Sequence, residues 1–244
     1  WMIVERHLAG RDYMAGDQFS LADIPMDSDV PEPYGTIDGP VSGGKFNKDW
    51  IWQDPKNDCI KKIPDSKTLI VTVPHGNDLL RSKTNAPRLL HKVTGDFDFE
   101  SEVNLESKDP SYVHLDFLLY SPGSYIGYLA KQQLEDGLTA DYRLLSGCWK
   151  SSNKNYIGVI SGKYASYPKG PIKVRVSRRG KIWQSHWSRD GQKWTLFFED
   201  KLDIPDTVWI GYSFRRDGRG QYYREHGIFT VKNIRITTIK PKTT

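Results

Sequence analysis

The stretch from Asp96 to Leu105 alternates apolar and polar residues with a strict period of two. Its apolar members are Phe97, Phe99, Val103 and Leu105, and its carboxylates are Asp98, Glu100 and Glu102. Successive side chains of a β-strand point to opposite faces, so this pattern predicts a strand with one apolar face and one acidic face. Such a strand belongs in a sheet that packs on a core on one side only.

Further short runs of the same kind follow, separated by turn residues and without helical patterns between them. We predict strands at Trp50–Gln53, Leu69–Val73, Arg88–Val93, Asp96–Leu105, Val113–Tyr120, Tyr125–Lys131, Tyr142–Trp149, Tyr156–Gly162, Ile172–Ser177, Ile182–Ser188, Lys193–Phe198, Val208–Phe214 and Gly227–Thr238. The missing crossover helices exclude a parallel α/β fold. The predicted fold class is therefore all-β, a two-sheet antiparallel β-sandwich or jelly roll.

Residues 1–26 differ from the remainder of the chain. Ser20 and Asp23 have the spacing of a helix capping box, which predicts a short helical extension. The segment Leu8–Pro25 resembles the helical C-terminal half of glutathione transferases, but no thioredoxin-like half accompanies it, so transferase activity is not implied. Residues 27–48 are rich in Asp, Pro and Gly and predict a linker or wrapping loop, and residues 49–244 form the predicted sandwich.

The charge distribution argues against nucleic acid as a partner. The net charge is +5, and the 35 basic residues are scattered among 30 acidic ones. One local cluster, Arg215, Arg216, Arg219 and Arg224, is interpreted as a solvated hairpin. No run is long and apolar enough for a membrane span, and the chain shows no signal peptide, which leaves the localisation open with the cytoplasm favoured.

Metal-ligand patterns are weak. The two cysteines, Cys59 and Cys148, fit no metal ribbon, although one disulfide between them stays open. The histidines show no zinc motif, so no metal site is predicted. Asp54, Asn57 and Asp58 offer a weak candidate for Ca²⁺.

Several motifs support a resemblance to a known superfamily. They are Trp50-Ile51-Trp52, Leu69 to Pro74, His75 to Leu80, Asn85 to Leu90, Gly95-Asp96-Phe97, Ser188 to Trp194 and Phe229-x-Val231. Together they resemble a domain of unknown function in the concanavalin A-like lectin/glucanase superfamily, from Asp49 onward. The fungal regulator-of-enolase proteins and the C-terminal sandwich of some β-xylosidases are similar. The resemblance implies the sandwich fold and favours carbohydrate as ligand.

The polar loop after the second predicted strand is the first candidate binding site. It contains His75, Asn77, Asp78, Arg81, Lys83 and Asn85. These side chains could converge on sugar hydroxyls, or they could fix the loop through a pair between Asp78 and Arg81. Trp52 and Trp209 are candidate stacking platforms, and Trp209 is expected to be exposed because it lies opposite the apolar face of its strand.

The acidic face of the opening strand is the candidate catalytic site. Laminarinase-like enzymes of the superfamily carry Glu-x-Asp-x-x-Glu on one strand, which Asp98, Glu100 and Glu102 resemble without matching its spacing. Carboxylates two residues apart on a strand are separated by about 7 Å. A retaining glycosidase needs about 5 Å. A solvated strand face is therefore the favoured interpretation.

We expect a non-catalytic module that binds carbohydrate or a protein partner. The first alternative is a glycoside hydrolase for β-glucan or xylan, and the second is an intracellular regulatory partner of a metabolic enzyme. The sugar and the oligomeric state stay open.

Overall fold

The computed structural model of the chain describes residues 36–42, 45–78, 85–106, 113–121, 125–135, 141–152, 155–166, 170–216 and 225–239. Every regular element in these residues is a β-strand. The strands are β1 (Thr36–Asp38), β2 (Val41–Ser42), β3 (Lys45–Phe46), β4 (Ile51–Gln53), β5 (Ile60–Lys62), β6 (Thr68–Val73), β7 (Arg88–Thr94), β8 (Asp96–Glu106), β9 (Val113–Ser121), β10 (Tyr125–Glu135), β11 (Asp141–Ser152), β12 (Asn155–Ser166), β13 (Ile172–Arg179), β14 (Ile182–Ser188), β15 (Thr195–Lys201), β16 (Thr207–Arg216) and β17 (Gly227–Ile239). A search of the described residues for helices that could span a membrane finds none.

Two antiparallel sheets form the molecule. The eight-stranded sheet has the order β15-β14-β13-β8-β17-β6-β5, with β1 also paired to β17. The seven-stranded sheet has the order β12-β11-β10-β9-β16-β7-β4, and β2 pairs with β3 separately. Strands distant in sequence are neighbours in both sheets, as in a jelly roll. The predicted fold class is confirmed.

All thirteen predicted strands coincide with observed strands, and their ends shift by a few residues. The short strands β1, β2, β3 and β5 were not predicted. These strands contain two or three residues, too few for a period of two to be recognised. The predicted helical extension, residues 1–26, lies outside the described residues, and the proposed domain boundaries stay predictions.

Strand β8 has the two faces that its alternation predicts. Phe97, Phe99, Val103 and Leu105 are buried, whereas the residues between them are partly exposed except the buried Ser101. The strand lies between β13 and β17 in the middle of its sheet. Its apolar face therefore contributes to the centre of the core.

Aromatic rings join the two sheets. Phe99 of the eight-stranded sheet packs edge-on against Phe117 and Tyr212 of the other, with centroids 4.7 and 5.7 Å apart. Phe214 and Phe229 form a further pair at 5.6 Å. Such pairs contribute about 0.5–1.5 kcal/mol each beyond the burial of their area. These contacts thereby fix the position of one sheet relative to the other.

Candidate functional site

Four polar side chains form a row across the outward face of the seven-stranded sheet. In register, Gln53 of β4 lies opposite Arg88 of β7, Arg88 opposite Ser213 of β16, and Ser213 opposite Asp116 of β9. Register partners share one face of a sheet. Their chain neighbours, such as Leu89, belong to the apolar core, so the four point away from it. We call these four residues the polar row.

Arg215 continues this face beyond the polar row. Its guanidinium lies 2.7 Å from Asp78 Oδ1 and 3.1 Å from Asp116 Oδ2, and the Arg215 side chain is only 1% exposed. Its register partner on β9, His114, is also buried. Burial alone would lower the pKa of the Arg215 guanidinium, but the charges and hydrogen bonds of Asp116 and Asp78 outweigh burial and raise that pKa. The arginine is therefore a permanent cation between two carboxylates.

Asp78 reaches this face through the segment that follows β6, a strand of the other sheet. The amide of Gly76 donates to the carbonyl of Arg216, and the amide of Arg216 donates to the carbonyl of Asn77. The amide of Asp78 donates to Asn85 Oδ1 at 2.9 Å, and the amide of Ala86 donates back to the Asp78 carbonyl. Asp78 is thereby tied to Asn85 and Ala86, and the segment before it is tied to Arg216, which sets the position of the Asp78 carboxylate.

Several buried polar atoms on this face have no hydrogen-bond partner. They are both amide atoms of Gln53, Asp116 Oδ1, Ser213 Oγ and Trp209 Nε1. An unsatisfied buried polar group costs about 1–3 kcal/mol. Such groups are rare in folded proteins, and each calls for an explanation, such as a catalytic role or an ordered water or ion that completes its hydrogen bonds.

The structure tests the expected exposure of Trp209 directly, and that expectation is wrong. Trp209 does lie on the outward face of β16, but it is only 5% exposed. It occupies a central strand between Lys92 of β7 and Tyr120 of β9. Trp209 is buried because β16 lies in the middle of its sheet. The alternation within one strand does not reveal where that strand lies in the sheet.

The other residues that were predicted to bind a ligand do not lie together in one place. Asn77 is fully buried, and its amide nitrogen donates to the Pro74 carbonyl at 3.0 Å and to Asp58 at 3.2 Å. His75 is half-buried in the same segment. Trp52 lies on the core side of β4. Arg81 and Lys83 lie outside the described residues.

Trp52 has packing partners on several sides. Its ring centroid is 6.2 Å from that of Phe46 and 5.8 Å from that of Phe214. The ammonium of Lys61 lies 4.7 Å from the Trp52 ring centroid. These contacts give Trp52 a structural role.

The candidate catalytic carboxylates lie on the other sheet. Glu100 Oε1 accepts from Arg175 Nε at 2.6 Å, and Glu100 Oε2 accepts from Arg235 at 2.9 Å. Asp98 accepts two hydrogen bonds of 2.8 Å from Arg179. Glu102 lies beside Lys173 in register. On the acidic face of β8, Asp98 and Glu100 thus form cross-strand ion pairs.

Among the residues that the structure describes, one cluster could hold a metal ion. The ligand atoms of Asp54, Asp58 and Cys59 lie within 4.8 Å of one another. Cys59 is a free thiol whose pKa is raised by burial and by the charges of Asp54 and Asp58. Two members coincide with the Ca²⁺ candidate of the sequence analysis, in which Asn57 was the third. Hard oxygen ligands suit Ca²⁺, whereas the thiol suits a softer metal.

Most of the polar row was not predicted from the sequence, and the surroundings of one arginine pair were predicted wrongly. Arg215 and Arg216 were expected in a solvated hairpin, but each is 1% exposed, so that interpretation is wrong. The alternation of β16 did place Arg215 on the polar side of its strand. The alternation contains no information on the pairing of β16 with β9, and this pairing supplies Asp116 as a partner of Arg215.

Two antiparallel sheets around an aromatic core define a β-sandwich of the jelly-roll type. No protein-family model matches the sequence, and no curated protein matches it. Several solved structures share the fold of this chain at low sequence identity.

Three of these solved structures illustrate the likeness. A functionally unknown protein from Saccharomyces cerevisiae has a TM-score of 0.57 at 12% identity, over 79% of this chain and 98% of that one. A mutant of the GH43 protein BlXynB from Bacillus licheniformis has a TM-score of 0.57 at 12% identity, over 86% of this chain but 41% of that one, so this chain spans less than half of it. The exoplasmic/lumenal domain of VIP36, in its Ca²⁺/Man-bound form, has a TM-score of 0.51 at 11% identity, over 86% and 91%.

Proposed function

We propose that the chain is a non-catalytic carbohydrate-binding module whose site is the polar row together with Arg215 and Trp209. The observation that carries this proposal is the set of buried polar atoms without partners on one face of the sheet. They include donors, such as Trp209 Nε1, and acceptors, such as Asp116 Oδ1. A sugar hydroxyl donates and accepts hydrogen bonds, so one sugar ring can satisfy groups of both kinds.

The ion pairs of Arg215 favour binding over catalysis at this site. Glycoside hydrolysis needs one carboxylic acid with a raised pKa and a second carboxylate across the bond to be cleaved. Asp78 and Asp116 are both held by the same buried guanidinium. They therefore suit orientation of a ligand better than attack on a glycosidic bond.

The hydrolase alternative would rely on Asp98, Glu100 and Glu102. Asp98 and Glu100 have arginine partners at hydrogen-bond distance, which favours a structural role for these carboxylates. The similarity to a GH43 protein is a likeness of fold, which favours a glycan as ligand but not its hydrolysis. The similarity to VIP36, whose structure is Man-bound, supports glycan binding to the same degree.

Two resemblances in the sequence, to regulator-of-enolase proteins and to glutathione transferases, point to a different role. A likeness to regulator-of-enolase proteins would imply an intracellular regulatory partner, and residues 8–25 would be a glutathione transferase-like remnant. Recovery of one metabolic enzyme in a pull-down from lysate, without any retention on a glycan array, would favour the regulatory role over ours.

Ser213→Ala is the sharpest test of the proposed site. Ser213 Oγ is buried without a partner, so its removal should leave the unfolding midpoint unchanged or slightly raised. If the hydroxyl contacts a sugar, the same variant should lose about tenfold in affinity for whichever oligosaccharide a glycan array identifies.

Lys201→Ala, on the exposed edge strand β15, is the matched control and should bind as the wild type does. Affinities are measured by calorimetry and the midpoints by urea unfolding. Wild-type affinity in both Ser213→Ala and Gln53→Ala would contradict the proposed site. Release of reducing sugar by the wild type would contradict the non-catalytic assignment.

A further inference from the structure

A cleft of about 530 Å³ lies on the outward face of the eight-stranded sheet, away from the polar row. Its lining includes Lys67, Glu100, Glu102, Lys173, Trp194 and Arg235. Small-ligand sites commonly measure about 300–1,000 Å³. The Lys67 and Arg235 side chains at its border are exposed to solvent, so a ligand can reach it. Nothing in the first proposed site depends on this cleft.

The indole of Trp194 is held in place at this cleft. Trp194 follows the turn at Asp190 and Gly191, where Asp190 Oδ1 accepts from the amides of Gln192 and Lys193. The guanidinium of Arg175 lies 4.1 Å from the Trp194 ring centroid. A flat ring that is already ordered loses little entropy when a sugar stacks on it. Trp194 therefore has the properties of a preorganised stacking platform.

Arg175 is itself fixed by the ion pairs of β8. Its Nε donates to Glu100 at 2.6 Å, and Arg235 donates to the other oxygen of Glu100 at 2.9 Å. The chain of contacts thus runs from the Trp194 ring through Arg175 and Glu100 to Arg235. It crosses β13, β8 and β17, three adjacent strands in the sheet.

The cleft carries an excess of positive charge. Glu100 is neutralised between two arginines, and Glu102 lies in register with Lys173. Three cations, Lys67, Lys173 and Arg235, line the cleft with two carboxylates, so one positive charge of the lining is uncompensated, and the Arg175 guanidinium against the Trp194 ring adds a further cation beside the cleft. Such a surface attracts anions, and guanidinium groups bind carboxylates with charge-assisted hydrogen bonds.

We propose that this cleft is a second binding site, specific for an acidic oligosaccharide whose uronic acid carboxylates contact the cations while a sugar ring stacks on Trp194. Exposed hydrogen-bonding groups at Asn233 and Ser66 complete the lining and suit sugar hydroxyls. The combination of a single aromatic platform, hydroxyl-binding groups and a small charge excess favours this ligand over a nucleic acid, which needs an extended basic surface.

Binding of hexagalacturonate to the full chain tests the second site, with laminarihexaose as the neutral comparison. Calorimetry at two salt concentrations should show that hexagalacturonate binds more weakly as salt rises. Trp194→Ala should weaken its binding at least tenfold. Lys67→Glu, a charge reversal at an exposed position, should also weaken it at least tenfold with an unchanged unfolding midpoint. Lys201→Ala should bind as the wild type does.

Ser213→Ala separates the two proposals. It should leave hexagalacturonate binding unchanged, even though it weakens binding at the polar row. Loss of hexagalacturonate binding in Ser213→Ala but not in Lys67→Glu would overturn the second site. So would undetectable binding of hexagalacturonate by the wild type, equal affinity for laminarihexaose, or tighter binding of a single-stranded DNA oligonucleotide of equal charge.

Discussion

Arg215 pairs with Asp78 at 2.7 Å and thereby joins the loop after β6, a strand of one sheet, to β16, a strand of the other. Asp116 of β9 binds the same guanidinium at 3.1 Å. The triad lies where the loop and the polar row meet. Its geometry consequently links the stability of the sandwich to the shape of the proposed binding face.

Replacement of Arg215 should be strongly destabilising. Arg215→Leu leaves two buried carboxylates without their cation, and loss of one partner of a buried pair costs about 3–5 kcal/mol. Arg235→Leu is the control, because the exposed pair with Glu100 contributes about 0–1 kcal/mol. Urea unfolding measures both differences. Equal midpoints for the two variants would contradict a buried, fully formed triad.

Substitution of Glu100 should leave the chain as inactive on polysaccharides as the wild type. Both oxygens of the Glu100 carboxylate accept hydrogen bonds from arginines, Arg175 and Arg235, so the group is engaged in structural ion pairs and is not placed to act on a glycosidic oxygen. We expect no new reducing ends from xylan or laminarin between pH 4 and 8 with either protein, in a reducing-sugar assay. Cleavage by the wild type that disappears in Glu100→Gln would establish the hydrolase alternative instead.

Two glycines should respond very differently to substitution by alanine. A Cβ on Gly211 would lie 1.9 Å from the Leu89 carbonyl oxygen of the neighbouring strand, and the φ of Gly211 is +153°. Gly211→Ala should therefore cost more than about 4 kcal/mol or prevent folding. Gly95 has φ +75° with open space around its Cβ position, so Gly95→Ala should cost about 1–2 kcal/mol. Thermal unfolding of the two variants distinguishes steric overlap from backbone strain alone.

The thiol of Cys59 should react slowly with iodoacetamide. Burial raises its pKa first, and the charges of Asp54 and Asp58 raise it further, so little thiolate is present at pH 8. In a Cys148→Ser background, Asp54→Asn with Asp58→Asn should accelerate alkylation, as followed by mass spectrometry. Rapid alkylation of the parent protein would show that the thiol is neither buried nor influenced by these carboxylates.

The strands were predictable from sequence because their evidence is local. The alternation of β8 fixed which residues face the core, and the same argument gave the outward faces of β9 and β16. The triad was not predictable, since Asp78 and Asp116 lie 137 and 99 residues from Arg215 along the chain. Its formation depends on which strands pair and in what register, and no short sequence pattern encodes that choice.

The carboxylates of β8 likewise had one feature that the sequence predicts and one that it does not. Their common face followed from a period of two, but their arginine partners lie on β13 and β17, each brought alongside by sheet topology. Without those partners, three acidic residues on one face resemble a catalytic constellation. The pairing of strands, not the acidic sequence itself, determines whether such residues are available for chemistry.

His91 should make the folded state less stable as the pH falls through 6.5 and below. Burial lowers the pKa of this imidazole from its model-compound value of 6.5, although a 2.9 Å contact between Nδ1 and the Asp49 carbonyl opposes the shift. The unfolded chain then binds a proton that the folded state excludes, so stability is fully present above pH 6.5 and decreases below it. Urea midpoints at pH 7.5 and 5.5 should differ less for His91→Gln than for the wild type. An equal difference in both proteins would show that His91 accepts a proton in the folded state as readily as it does in the unfolded chain.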